Sequence, residues 1–142
     1  MKKLISIVLS ILPIVANAQE EPAIPFVACV EETGEIFRGT AFGADAGPLN
    51  AVSENGVSCE GEWKRLPLGL GVASFTCDDG RTGTTIYHYF DTATGTAIGD
   101  GSLQDGSPTR FWSGYRLEDY FKTKDPSERE RMACQPEQML LS

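Results

Sequence analysis

The chain has one histidine, His88, and none of its four cysteines stand in a Cys-x-x-Cys spacing. A single histidine without paired cysteines leaves no tetrahedral ligand set for zinc, and the missing Cys-x-x-Cys removes a thioredoxin-like redox pair. There is no Gly-x-Ser-x-Gly elbow to present a serine, so His88 has no evident nucleophile to serve as base. The adjacent carboxylates Asp78-Asp79 and Glu118-Asp119 are sequence neighbours, which point opposite ways on a strand and make poor acid/base couples. Basic residues are also scarce: 12 Lys and Arg stand against 20 Asp and Glu, a net charge of −8. Such a surface repels nucleic acid and anionic membrane and is open to a basic partner. No cofactor motif and no metal-ligand spacing is present, and neither is expected to be bound.

What the chain does have begins at its N-terminus. Lys2 and Lys3, an apolar run from Leu4 to Val15 and the small-x-small set Ala16-Asn17-Ala18 read as a cleavable secretory signal over residues 1–18. No later segment approaches the roughly 18 apolar residues of a bilayer span, so no membrane insertion is expected after cleavage. The mature chain is expected to start at Gln19, with ten basic residues facing twenty acidic ones, in the periplasm or secreted medium. Residues 19–25 read as a flexible lead-in, residues 26–135 as one β-rich domain and residues 136–142 as a tail.

All four cysteines lie in the mature part, which predicts two disulfides in an oxidising compartment. Residues 59–77 read as two strands around a Leu66-Pro67-Leu68-Gly69 turn. An antiparallel hairpin centred there sets Cys59 against Cys77, Gly61 against Phe75 and Trp63 against Ala73, within disulfide reach at its open end. Cys29 is then left for Cys134.

Short runs of β-branched and aromatic residues recur at 26–31, 35–43, 57–64, 72–77, 84–91, 96–101 and 109–114, cut by Gly-containing turns such as Asp79-Gly80 and Asp105-Gly106. Seven strands with short links predict a mainly β fold, a single antiparallel meander curled into a small barrel or sandwich. Residues 115–122 fit a short helix with Leu117 and Phe121 at i, i+4, and Asp125-Pro126 starts a second helix over 127–134.

Two stretches echo each other, GTAFG at 39–43 and GTAIG at 95–99, and glycine pairs at 69/71 and 99/101 precede the Asp79-Gly80 and Asp105-Gly106 turns. Together with CEGEWK at 59–64 and RFWSG at 110–114, residues 57–114 resemble MORN-type β-hairpin repeats. The spacings differ from that family's, and Cys59 stands at its leading tyrosine position. The resemblance implies a hairpin meander used for partner binding or as a scaffold, with no catalytic residues.

The candidate binding residues come from an aromatic set, Trp63, Phe75, Tyr87, Tyr89, Phe111, Trp112 and Tyr115, with Phe111, Trp112, Tyr87 and Tyr89 foremost beside Arg110. In the strand TTIYHYFD, strict alternation puts Ile86, His88 and Phe90 on one face and Tyr87 and Tyr89 on the other. The strand is then either covered on both sides or displays a tyrosine ridge, and His88 reads as a ring packed in or beside the sheet. Phe111 and Trp112 must face opposite ways, with Trp112 the expected inward ring. One of them either leaves the core beside Arg110 and Arg116, as in a binding hot spot or sugar platform, or is buried beneath the C-terminal helix. Asp78, Asp79, Asp91, Asp100 and Asp105 at strand ends offer oxygens for calcium, although Asp-Gly is also simply a favoured turn dipeptide. The leading function is a non-enzymatic binding module with a protein or envelope-component partner. The alternatives are a small secreted hydrolase and an inhibitor- or immunity-like protein with a basic partner.

Overall fold

A computed structural model describes residues 20–127 and Cys134. Eight strands follow one another in sequence order: β1 (Ala23–Val30), β2 (Ile36–Phe42), β3 (Ala46–Ser53), β4 (Ser58–Arg65), β5 (Gly71–Cys77), β6 (Thr82–Asp91), β7 (Thr96–Leu103) and β8 (Pro108–Ser113). Each pairs antiparallel with the next, and β8 returns to β1, so the meander closes into a barrel. Closure removes every free sheet edge. The sandwich alternative is thereby excluded.

One strand start and one whole strand depart from the sequence reading, so that eight strands stand where seven are expected. The ladder of β1 starts at Ala23, so residues 23–25 of the expected lead-in are barrel wall. The whole of β3 was unforeseen, because AGPLNAVS is rich in small residues and contains a proline. It forms because Leu49, Ala51 and Ser53 alternate inward against exposed Pro48, Asn50 and Val52. Pro48 is tolerated because the β2–β3 ladder ends at the Ala41–Leu49 pair, one residue short of it.

The interior is filled. Phe26, Phe37, Leu49, Phe75, Tyr87, Leu103 and Phe111 interdigitate there, with Phe26 stacked on Phe111 at 4.6 Å between ring centroids. Glycines face the largest rings: a Cβ on Gly83 would lie 2.4 Å from Phe75 Cζ and one on Gly39 2.4 Å from Phe26 Cζ. A cavity of about 50 Å³ remains between the rings, room for water but far below the roughly 300–1,000 Å³ that encloses a drug-sized ligand. Outward positions on β4 and β5 are polar (Ser58, Glu60, Glu62, Lys64, Ser74, Thr76), the reverse of a membrane-spanning barrel with its outward apolar band.

A second apolar cluster lies outside the barrel. Val27, Cys29, Ile36, Ile98 and Trp112 line the outer wall of β7, β8, β1 and β2, and are covered by α1 (Leu117–Lys122) through Tyr120 and Phe121. Trp112 meets Phe121 edge-on at 5.5 Å. The expected helix over 127–134 lies outside the described residues except for Ser127 and Cys134. Cys134 is fully buried against Cys29 and bonded to it, while Cys59 and Cys77 are bonded directly across β4 and β5. The Gly61–Phe75 and Trp63–Ala73 pairs sit in the same register. Both bridges are as the hairpin argument predicts, and two such bonds fit an oxidising compartment. Among the described residues no helix is long and apolar enough to cross a membrane.

Candidate functional site

The two ends of the barrel differ in chemistry. The β1–β2, β3–β4, β5–β6 and β7–β8 turns form one end, and they carry Glu31, Glu32, Glu35, Glu54, Asp78, Asp79 and Asp105. Arg81 is plugged among them. Its Nη1 and Nη2 donate to the Glu35 carboxylate at 2.7 and 3.2 Å, its Nε donates to Asp79 at 2.8 Å, and its guanidinium lies over the Phe37 ring. The Arg81 hydrogen bonds hold the nearly buried Glu35 carboxyl below its ordinary 4.5, against the opposing effect of burial. A depressed folded-state pKa contributes stability above the unfolded value, lost as pH falls through the folded one. Thermal unfolding should therefore show native stability dropping as pH is lowered below about 4.5, and Arg81→Ala should flatten that drop. At pH 7 the same variant should cost about 1.5–3 kcal/mol by urea titration, since it strands a charged hydrogen-bonding group. An unchanged pH profile in the variant would show that other carboxylates carry the acid transition.

The opposite end holds a largely apolar recess, and a β-bulge shapes it. Register along β6 and β7 passes from Tyr87–Gly99 to Tyr89–Ile98, so His88 has no partner across the ladder. Paired residues of antiparallel strands share a face. Tyr87 therefore faces in with Gly99 and Phe111, Tyr89 faces out with Ile98 and Trp112, and Phe90 turns back in with Ala97 and Ser113. The strict alternation expected for this strand fails at His88. Bulges commonly re-aim side chains near sites, and this one sends Phe90 into the barrel mouth.

That mouth is a recess of about 200 Å³ lined by Ile24, Trp63, Leu70, Tyr87, Phe90 and Tyr115, with Arg65 its one charged lining residue. Gly71, Gly95, Ala97 and Gly114 keep its walls low. The Trp63 indole is oriented by donating Nε1–H to the Phe42 carbonyl at 2.7 Å. The Tyr87 phenol has no hydrogen-bond partner among the described residues, and burial pushes its pKa up. Beside the recess, the β4–β5 turn presents Leu68 at φ +67° with 97% of its surface exposed. A leucine held in the left-handed region at a fully exposed tip stores strain and gains no burial, which is the kind of outlier that points to function. Phe90 and Tyr115 are more than half exposed. Arg65 is held loosely, with Nε 3.4 Å from Asp45 and both side chains largely in solvent.

The sequence-derived candidates scatter. Phe111 lies in the barrel interior and Trp112 under α1, so both rings are buried, and Phe111 is the inward one. This corrects the orientation expected for Trp112: an interior already holding Phe26, Phe37, Phe75 and Tyr87 takes the smaller ring, while the helix makes room for the indole. Neither ring is exposed for stacking. Arg110 is clamped by Glu31 at 3.0 Å and Asp100 at 2.9 Å on the outer wall. Tyr89 is exposed there, away from the recess. Of the foremost candidates only Tyr87 lines the mouth, where Trp63 and Tyr115 of the wider aromatic set join it.

His88 is half exposed on that same wall, with Nε2 2.5 Å from Asp100 Oδ2. Because the other Asp100 oxygen holds Arg110, the carboxylate is shared between an imidazole and a guanidinium, not devoted to orienting a base. The acidic turns are likewise engaged locally: Asp78 accepts from Ser58 N–H, Asp91 from Thr94 and Asp105 from Ser107. Among the described residues no three His, Cys, Asp or Glu side chains converge as metal ligands. The mouth's overlooked signal is the turn LPLGL at 66–70, three leucines where turns are ordinarily polar. Ile24, Arg65 and Phe90 carried no signal of their own.

Comparison with known proteins yields no match to any family model, curated protein or solved structure.

Proposed function

We propose that this protein is an exported, non-enzymatic binding module of the periplasm or cell envelope, and that it binds through the apolar mouth of its barrel. The observation that carries the reading is the concentration of exposed Leu68, Leu70, Phe90 and Tyr115 around one recess, whereas exposed Val52, Ile86 and Tyr89 lie away from it on the outer wall. Exposed apolar groups gathered around a concavity mark ligand or partner sites. The signal-like N-terminus, the two disulfides and the polar outer strands support an extracytoplasmic, water-facing setting. The MORN-like resemblance, with its partner-binding implication, supports the same class.

Site-specific photo-crosslinking in envelope preparations tests it. A crosslinker at Leu68 or Tyr115 should give discrete adducts, and one at Glu60 or Thr84 on the far wall should not. Equal labelling from both regions would overturn the mouth as the binding surface.

The acidic end favours a second reading, an inhibitor- or immunity-like module for a basic partner. Seven carboxylates, met only by Arg81 and by the Arg110 that pairs with Glu31, would give binding that falls steeply with salt, whereas binding at the apolar mouth should persist.

A further inference from the structure

We infer that the mouth takes a small amphiphilic carboxylate, an acyl or aryl chain bearing one anionic head, with Arg65 as its counter-ion; this rests on the mouth being the binding surface. Three observations converge. Arg65 is the one charged residue lining the recess, whose remaining lining is apolar apart from Ser113 and the tyrosine hydroxyls, on a protein otherwise rich in acid. A volume of about 200 Å³ lies below the roughly 300–1,000 Å³ of sites for drug-sized ligands, which suits a short chain or a single ring system. Arg65 is free to change partners, because an ion pair as exposed as Arg65–Asp45 is worth little.

The geometry divides the labour. Phe90, aimed inward by the bulge, and Trp63, fixed by its bond to the Phe42 carbonyl, offer flat apolar walls for the chain. The Tyr87 hydroxyl offers a donor without a competing partner among the described residues. A cationic amphiphile would meet the same walls but face Arg65 across the rim, so the sign of the head group should decide affinity.

The test uses the mature, oxidised protein titrated with decanoate and with decyltrimethylammonium, followed by amide chemical shifts. Decanoate should move resonances at 63–71, 87–97 and 113–115, and bind at least tenfold more tightly than the cationic amphiphile. Arg65→Glu should weaken decanoate at least tenfold and leave the melting temperature unchanged, while Arg65→Lys should retain most of the affinity. Equal affinity for the two amphiphiles, shifts confined to other surfaces, or no shift at millimolar ligand would each overturn the assignment. If decanoate fails while crosslinks from Leu68 persist, the ligand class is wrong and the binding reading stands. If both fail, the mouth is not a site.

Discussion

Phe111→Ala should cost about 3–5 kcal/mol of unfolding free energy, and Trp112→Ala a comparable amount by a different route. Phe111 touches two neighbours inside the barrel, stacked on Phe26 and edge-on to Tyr87, both at 4.6 Å. Truncation there opens a cavity in a closed ring of strands that has little freedom to collapse. Trp112 instead roofs the outer cluster and meets Phe121. Its loss should free α1 first, so hydrogen exchange at Leu117–Lys122 should accelerate before the barrel ladder opens. Small domains are stable by only about 5–15 kcal/mol, so either variant should unfold at markedly lower urea. A Trp112→Ala protein within about 0.5 kcal/mol of wild type would mean that the outer cluster contributes nothing to the fold.

The second large effect is expected from the long bridge. Cys29 and Cys134 are 105 residues apart, and in the loop-entropy picture closing a loop of that length stabilises by about 4.7 kcal/mol. The Cys59–Cys77 bridge spans 18 residues and is worth nearer 3 kcal/mol on the same basis. The double variant Cys29→Ser/Cys134→Ser should therefore lose more stability than Cys59→Ser/Cys77→Ser. It should also loosen α1, because the buried Cys134 sulfur is part of the cluster that holds the helix. A larger loss from the hairpin pair would show that local register, not long-range closure, is what the disulfides secure.

The hairpin at residues 58–77 was legible because symmetry about Leu68, the cysteine spacing and the alternation of Cys59, Gly61 and Trp63 all agreed on one register. The turn glycines were legible for a similar reason: Gly80 at φ +89° and Gly106 at φ +88° sit where other residues would be strained. Strand β3 was hidden by its small residues, since alternation between Leu49, Ala51 and Ser53 carries little hydrophobic contrast. Phe90 was misplaced because a bulge shifts parity without leaving a residue-type signature. His88, the bulged position, has no glycine to announce it. Trp112 was misassigned because period two says that neighbours diverge but not which face is the interior. Here both faces of β8 are covered, one by the barrel's own contents and one by the helix. The mouth was illegible for a further reason: its lining comes from seven strands, two turns and the residues after β8, which meet only once the ring has closed.

The bond between Cys29 and Cys134 also sets how the molecule carries tension. A pull applied to the N-terminus and to the chain beyond Cys134 reaches Cys29 directly, so only residues 23–28 of β1 lie in the line of force. The rest of the barrel hangs from that line as a side loop and bears no load, and of the residues lining the mouth only Ile24 lies in the loaded stretch. Reduction removes the shortcut. The same pull then enters β1 and β8 from their shared end, where antiparallel neighbours peel apart one rung at a time. The chain from Cys29 to Cys134, a sequence separation of 105 and about 350–380 Å when fully extended, becomes available as slack.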